Sequence, residues 1–582
     1  MVLPLAEIVV RRAFGRGIPG SAPFTQHLTM WVGMLGSMLA ARDGRLLSLA
    51  TATFLPEGRV RTVASILAAI VGAAVSTLLA TGGVALVRSE RLSETVIAVG
   101  VPVWVAQLVL PLAFGAIAVR LVWRSSNTWP GRTIAAMGIA VGLWLAAAPG
   151  LLEGRPVWPG LVVLVIAATL GAPIFVLLGG AAVLLFLVEG TRPIVPVIAA
   201  YAQLTSVTLA AIPLFTLAGF LFAEGRSSER LLGLFRSLFG WIPGGTPVIA
   251  AALCAFFTAF TGGSGVTILA LGGLLLPALL ADGYRDRFSL GLITAAGSLG
   301  LLFPPALPLI LYGIVANVAI EDLFVAGLVP GLLMLGLMAA LGVREGLVTG
   351  AGRTPFRWAD AGAALWVAKW ELLLPIVILG SLLGGLATVV ESAALAALYA
   401  FVVQRFIHRD LANVKAIMRS VGDCTALVGG VLIILAVAVG LTNYMVDAQV
   451  PDRMVAWAEG HIHSPFLFLL TLNGVLLIVG CLMDIFSAIV VVVPLIVPIA
   501  AVFDVAPVHL GIIFIANLEL GYLTPPVGLN LFLSAYRFQR PVMQVARAVL
   551  PMLLILGVGV LLITYFPWMT MGVLRLFRGG LP

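Results

Sequence analysis

The sequence predicts an all-α polytopic membrane protein with two repeats, each a re-entrant hairpin followed by a helix broken at a Pro-Pro pair. Three observations predict it. Of 582 residues, 61% are hydrophobic and 10% charged, against roughly 25% charged in soluble domains. Only two Pro-Pro pairs occur, Pro304-Pro305 and Pro525-Pro526, and each closes the pattern Leu-Gly-x-Leu-x-Pro-Pro. Ahead of each pair lies an apolar stretch interrupted in its middle by residues that suit a helix poorly.

Composition sets the outer frame. The mean hydropathy is +1.15, and about 20 residues per crossing leaves room for about 14 to 17 crossings. The net charge of +8 and isoelectric point near 9.9 do not point to nucleic acid. Arg11-Arg12, Arg42, Arg45, Arg405 and Arg409 sit in short polar breaks, as the positive-inside bias of cytoplasmic loops requires. Cys254, Cys424 and Cys481 fall in separate apolar segments, which fits helix packing and no disulfide framework. Residues 1–10 are apolar but run into Arg11-Arg12, the wrong charge order for a cleavable signal.

Residues 1–130 read as a small membrane module. A mostly apolar segment over 21–41 ends at the charged turn Arg42-Asp43-Gly44-Arg45, and 63–87 and 96–123 are strong spans. The polar run 124–132 carries Pro130-Gly131 and marks a boundary. Residues 131–156 form a connecting helix and linker, broken again at Pro149-Gly150. From 157 to 582 runs a large module with repeats at about 212–342 and 361–567, separated by the polar loop 343–360. Arg230 and Arg236, with Leu231, Leu234, Phe235 and Leu238 at helical spacing, predict a helix lying along the membrane surface over 230–241.

The repeat is carried by spacing. The two Pro-Pro pairs stand 221 residues apart, and the same offset superposes Pro277 on Pro498 and Ala295 on Ala516. Proline removes a backbone donor and clashes with the preceding turn, so each pair breaks its helix. The segment 246–281 holds Thr261-Gly262-Gly263-Ser264-Gly265-Val266-Thr267 at its centre, too rich in glycine for a helix interior. That leaves two arms of about 14 residues, too short to span, hence a hairpin. The segment 466–503 repeats this with its break over 480–487 and a carboxylate at Asp484. Backbone freed in lipid must face protein or a water-filled cavity, and paired breaks in two halves of a membrane protein point to a transporter's binding site.

The tip 261–267 and the freed carbonyls about Gly300 and Phe303 suit a hard monovalent cation, which takes oxygen ligands; close packing of small residues is the other reading. The second half offers Asp484, Ser487, Thr524, Pro525, Gly528 and Asn530. Asn530 is placed either to repair the broken helix or to bind a ligand. Three acids fall deep in apolar stretches, where each is costly. Asp484 suits a helix cap, Glu391 a helix end, and Glu519 falls opposite Ser298 at the repeat offset.

These motifs resemble a known family. Residues 480–484 and 517–532, above all Thr524-Pro525-Pro526-Val527-Gly528-Leu529-Asn530, are similar to the large membrane subunit of tripartite ATP-independent periplasmic (TRAP) transporters. Ile212-Pro213-Leu214-Phe215, Asp282-Gly283-Tyr284 and the stretch from Pro304 to Gly313 carry the likeness in the first half. Residues 1–130, through Ile18-Pro19-Gly20-Ser21, Trp31 and 42–45, resemble the small subunit, so the two look fused.

The resemblance implies an elevator-type secondary transporter in a bacterial inner membrane, not an enzyme. It implies sodium as coupling ion, no other cofactor, and a periplasmic substrate-binding protein that delivers a small organic-acid solute. The family's sodium sites map to Gly263, Ser264, Gly300, Phe303 and Pro304, and to Asp484, Thr524, Pro525 and Gly528; Ser264, Ser298 and Asn530 would meet the solute. This chain departs from the family at Gly265 and Ala306, where serines are usual, and at Thr388-Val389-Val390-Glu391. Backbone carbonyls remain as ligands after these changes. The rival readings are a stand-alone ion-coupled organic-anion carrier and an intramembrane enzyme. The attached small module disfavours the first; no nucleophile–base set favours the second. The chain has no Gly-x-x-x-x-Gly-Lys-Ser/Thr loop for an ATP-driven pump.

Overall fold

The computed structural model describes residues 2–49, 56, 58–350, 352, 355–525 and 527–578. Pro526, second in the later Pro-Pro pair, lies outside them. Among the described residues the chain forms helices and no β-strand. The small module comprises α1 (Val2–Phe14), α2 (Ser21–Asp43), α3 (Arg59–Ser93), α4 (Val103–Gln107) and α5 (Val109–Arg124). The connecting helix α6 (Trp129–Ala147) packs back along α3. Next come α7 (Trp158–Thr169), α8 (Ile174–Val188) and α9 (Ile194–Leu204).

The first repeat begins with α10 (Ala211–Glu224) and α11 (Ser227–Phe239). The hairpin α12 (Gly245–Thr261) and α13 (Ser264–Ala281) follows, then the broken pair α14 (Asp286–Ala296) and α15 (Leu307–Ala316), and α16 (Ile320–Thr349). Between the repeats stand α17 (Trp358–Leu383) and α18 (Val389–Val402). The second repeat has α19 (Val414–Asp447), α20 (Val450–His461) and the hairpin α21 (Pro465–Leu482) and α22 (Ile485–Val502). Its broken pair is α23 (Pro507–Gly521) and α24 (Leu529–Phe538), and α25 (Val542–Tyr565) and α26 (Met571–Phe577) end the chain.

These elements sort into two bodies. One gathers α2, α8, α9 and α10 around α19, with α18 on α10 and α17 on α18. The other interleaves the repeats: α13 packs on α24, α14 on α25 and α15 on α22. The bodies meet where α10 faces α12 and α19 faces α22. The small module joins the first body through backbone contact. A Cβ on Gly36 would lie 2.2 Å from the Thr425 carbonyl oxygen, and one on Gly429 would lie 2.1 Å from the Gly36 carbonyl carbon. Without a hydrophobic drive between helices in lipid, such close approach is what associates them.

Twelve described helices are long and apolar enough to cross a membrane, or thirteen if the bent pair through Pro304 counts as one span. That is below the expected 14 to 17. Composition counts α7, α8, α9, α12 and α23 as spans, but each has only 10–17 residues. The hairpin arms differ from expectation in the other direction. They have 17 and 18 residues in the first hairpin and 18 each in the second, not about 14. The breaks are shorter than the sequence implied: Gly262-Gly263 in one, Met483-Asp484 in the other. Gly265 and Gly480 lie inside helices, and α16 runs seven residues into the expected polar loop.

The hairpin assignment therefore rests on contacts rather than on arm length. At the feet, the Thr246 hydroxyl donates to Asp282, and Phe468 stacks on Phe503 with ring centroids 4.6 Å apart. At the tips, each hairpin meets the broken helix of its own repeat.

Candidate functional site

The first tip forms where α12 ends at Thr261 and α13 restarts at Ser264. Beside it, the helix from Asp286 continues as a 3-10 turn to Leu302, then bends by 45° into α15. Gly262 packs against Leu307, and Gly300 fits under the Ala255 carbonyl and Thr258 of α12. Tip and break thus lie at the same height. The carbonyls expected to be free are not: Gly300 O accepts from Phe303 N at 3.1 Å, and Phe303 O from Ala306 N at 2.9 Å. The turn repairs part of what the prolines break, leaving each oxygen one further lone pair. Pro304 is buried, Gly263 and Phe303 are half-buried, and the Phe303 ring lies over Gly331.

At this point the repeats touch. Ser264 Oγ donates to Asn530 Oδ1 at 2.7 Å, and Asn530 Nδ2 donates to the Thr294 carbonyl at 3.3 Å. Thr294 and Ser534 hydroxyls stand 2.9 Å apart. On the far side, Thr258 Oγ1 lies 2.7 Å from the Thr267 hydroxyl and 2.8 Å from the Gly297 carbonyl. Ser264, Asn530, Thr294, Ser534, Thr258 and Thr267 are all at most 2% exposed. The cluster is rich in oxygen and holds no ionised side chain. Asn530 therefore bridges the hairpin tip of one repeat to the broken helix of the same repeat while standing on the other. Ser298 is also buried, and its hydroxyl returns to its own helix at the Ala295 carbonyl.

Thr258, Thr294 and Ser534 were not singled out from sequence. Two of them had a signal: Thr294/Ser298 and Asn530/Ser534 are polar pairs at i, i+4 on apolar helices, which places each pair on one face.

At the second tip, Asp484 caps α22. Its Oδ1 accepts from Phe486 N at 3.0 Å and Ser487 N at 3.1 Å, and its Oδ2 from the Ser487 hydroxyl. The tip meets the second break through Tyr522, whose hydroxyl accepts from Ile485 N at 2.7 Å. Gly480 and Gly521 let the arm and the broken helix touch: a Cβ on Gly521 would lie 2.5 Å from Gly480 Cα. Beyond the break, Tyr522 O accepts from Asn530 N and Gly528 O from Leu531 N. Thr524 returns its hydroxyl to Leu520 O, and Pro525 is exposed.

The remaining two acids part ways. Glu391 forms a capping box with Thr388 at the start of α18 and pairs with Arg11 of the small module at 2.8 Å. Glu519 is 2% exposed, and neither of its carboxylate oxygens has a partner among the described residues.

Comparison with known proteins covers nearly the whole chain. Residues 161–569 match the family described as "Tripartite ATP-independent periplasmic transporter, DctM component". Residues 1–131 match that of the DctQ component. The isethionate TRAP transporter permease protein DctMQ of Oleidesulfovibrio alaskensis is 34% identical over 81% of this chain and 75% of its own length. The C4-dicarboxylate large permease DctM of Pseudomonas aeruginosa is 36% identical over 62% of this chain and 84% of its own. The sialic acid permease SiaT of Haemophilus influenzae is 30% identical over 63% and 59%. Among solved structures, the Alcanivorax borkumensis YdaH transporter aligns with 62% of this chain and 85% of its own at a TM-score of 0.44 and 17% identity.

Proposed function

The chain belongs to the TRAP transporter permeases, with small and large subunits fused in one multi-pass inner-membrane protein, and from that premise we propose that it performs sodium-coupled uptake of a small carboxylate-bearing solute handed over by a periplasmic binding protein. The observation that carries this reading is the Ser264–Asn530 contact, which closes one repeat's tip onto the other repeat's break. It gathers neutral oxygens in a buried place, and neutral oxygens suit a monovalent hard cation. The ion would sit at each tip-to-break junction, held by Gly263, Ser264, Gly300, Phe303 and Pro304 in the first repeat. In the second it would be held by Asp484, Thr524, Pro525 and Gly528. The solute would lie between the junctions, against Ser264, Ser298 and Asn530.

Coupling follows from this arrangement. Sodium at a junction fixes tip against break, and the fixed junction presents Ser264 and Asn530 to the solute. Each ligand orders what the other needs, so each binds better when both are present. The interleaved body would then carry both across as a unit against the body built on α19.

The dependence on a partner is tested by uptake into proteoliposomes holding the purified chain. Labelled solute should enter only when the cognate binding protein is supplied on the outside. Full uptake from free solute, with the binding protein omitted, would establish the stand-alone carrier instead.

A further inference from the structure

The helix α11 lies between the two bodies, directly ahead of the first hairpin, and its two ends are tied very differently. At its start, Arg230 Nε donates to Glu371 Oε1 of α17 at 2.6 Å, and Arg230 Nη2 to Asp410 Oδ2 at 2.8 Å. The Arg230, Glu371 and Asp410 side chains are 13%, 0% and 10% exposed. Neighbours complete the knot: Asp410 Oδ2 also accepts from Arg226 N, and Gln404 Nε2 donates to the Ser227 hydroxyl at 2.7 Å. Gln404 stands in a π-helical turn, Val403–Ile407, at the end of α18, and His408 Nε2 is 3.5 Å from Glu371 Oε1. Burial by itself would raise the Asp410 carboxyl, yet its bonds from Arg230 and from Arg226 N hold it below the ordinary value. The pair is ionised and mated.

At its far end α11 packs along α12, and the ion pair it makes with the hairpin's foot is that of Arg236 with Asp282, 3.4 Å apart with Arg236 54% exposed. An exposed pair of this kind holds little, whereas a buried two-pronged arginine holds firmly and in one geometry. Between α11 and α12 lies the short turn 240–244. The counterpart helix α20 has no such knot: Ala458 alone is buried on it, and no ion pair joins it to the first body among the described residues.

We propose that Arg230 is a positioning residue for transport, pinning α11 to Glu371 and Asp410 of the body built on α19 so that the hairpin swings about the turn 240–244. The proposal rests on the transporter reading above. Arg230 touches neither junction. Its loss therefore slows the movement without changing what the junctions bind.

Two measurements test this in proteoliposomes. For Arg230→Gln, maximal uptake should fall roughly tenfold or more while the half-saturating sodium and solute concentrations stay within about twofold. Arg230→Lys should fall between, because one ammonium cannot bridge two carboxylates in a fork. Wild-type maximal uptake in Arg230→Gln, or a matching change in sodium half-saturation, overturns the proposal. The second measurement does not depend on how that variant folds. In a background with Cys254, Cys424 and Cys481 replaced, Ser227→Cys and Gln404→Cys are joined by a short bifunctional thiol reagent. The joined protein should transport as fast as the same variant before joining; a block shows that α11 moves relative to α18 and overturns the proposal. If the transporter reading itself fails, the unmodified chain shows no uptake at all, so the two failures are distinct.

Discussion

Asn530 joins the two repeats through a single side chain. It follows the second break by a few positions, and sequence left it open between helix repair and ligand binding. The structure adds something spacing could not: its side chain reaches the other repeat, at Ser264 and the Thr294 carbonyl. Asn530→Leu strands both partners in a buried place, at roughly 1–3 kcal/mol for each polar group left unsatisfied. Sodium affinity should weaken about five- to a hundredfold, since 1.4 kcal/mol is tenfold. Ser264→Ala should be milder alone, and the double variant should be non-additive by about 0.5–3 kcal/mol, as for residues in one network. A sodium titration of uptake or of thermal stability reads all three; additive effects would mean the repeats are not coupled there. Asp484 gives a second contrast. Asp484→Ala should lower thermal stability by about 0.5–2 kcal/mol through the lost cap, and Asp484→Asn, another good cap, by much less. Both acids were legible as lying at helix ends, Asp484 at a break and Glu391 after Gly384-Gly385. The Arg11 partner of Glu391 was not, because it lies 380 residues away.

Among elements, the repeat of hairpin and broken helix was legible because proline and glycine punctuate at fixed spacing. The arm lengths were not. A cluster such as 261–267 reads as seven poor helix formers, yet the chain spends only Gly262 and Gly263 on the turn and refolds at once, because a buried break leaves fewer backbone groups unpaired when it is short. The same economy explains why Gly300 and Phe303 carbonyls are bonded within the turn. Where two elements must touch backbone to backbone, size is decisive. Gly521→Val should push α23 off α21 and cost roughly 1–3 kcal/mol as overpacking does, read as a lower melting temperature in detergent. Because the second tip and break then part, sodium should protect this variant from heat less than it protects the unmodified chain; equal protection would detach the second junction from the ion.

For the molecule as a whole, composition established a membrane protein and the motifs its two modules. How the modules join depended on tertiary contacts. The small module lies against α19 through Gly36 and Gly429 and is fastened at either end by ion pairs, Arg11 to Glu391 and Arg45 to Asp423. Such fastening suits the fixed body of the proposed mechanism, against which the interleaved body would move. Span counting overshot because five apolar helices, α7, α8, α9, α12 and α23, lack the length to cross. In the proposed mechanism, sodium drives the movement. The most direct measurement is solute uptake into proteoliposomes with the binding protein outside and one imposed gradient at a time. An inward sodium gradient should drive accumulation, and an inward proton gradient in choline buffer should drive none; accumulation of equal size with the proton gradient alone would contradict the account.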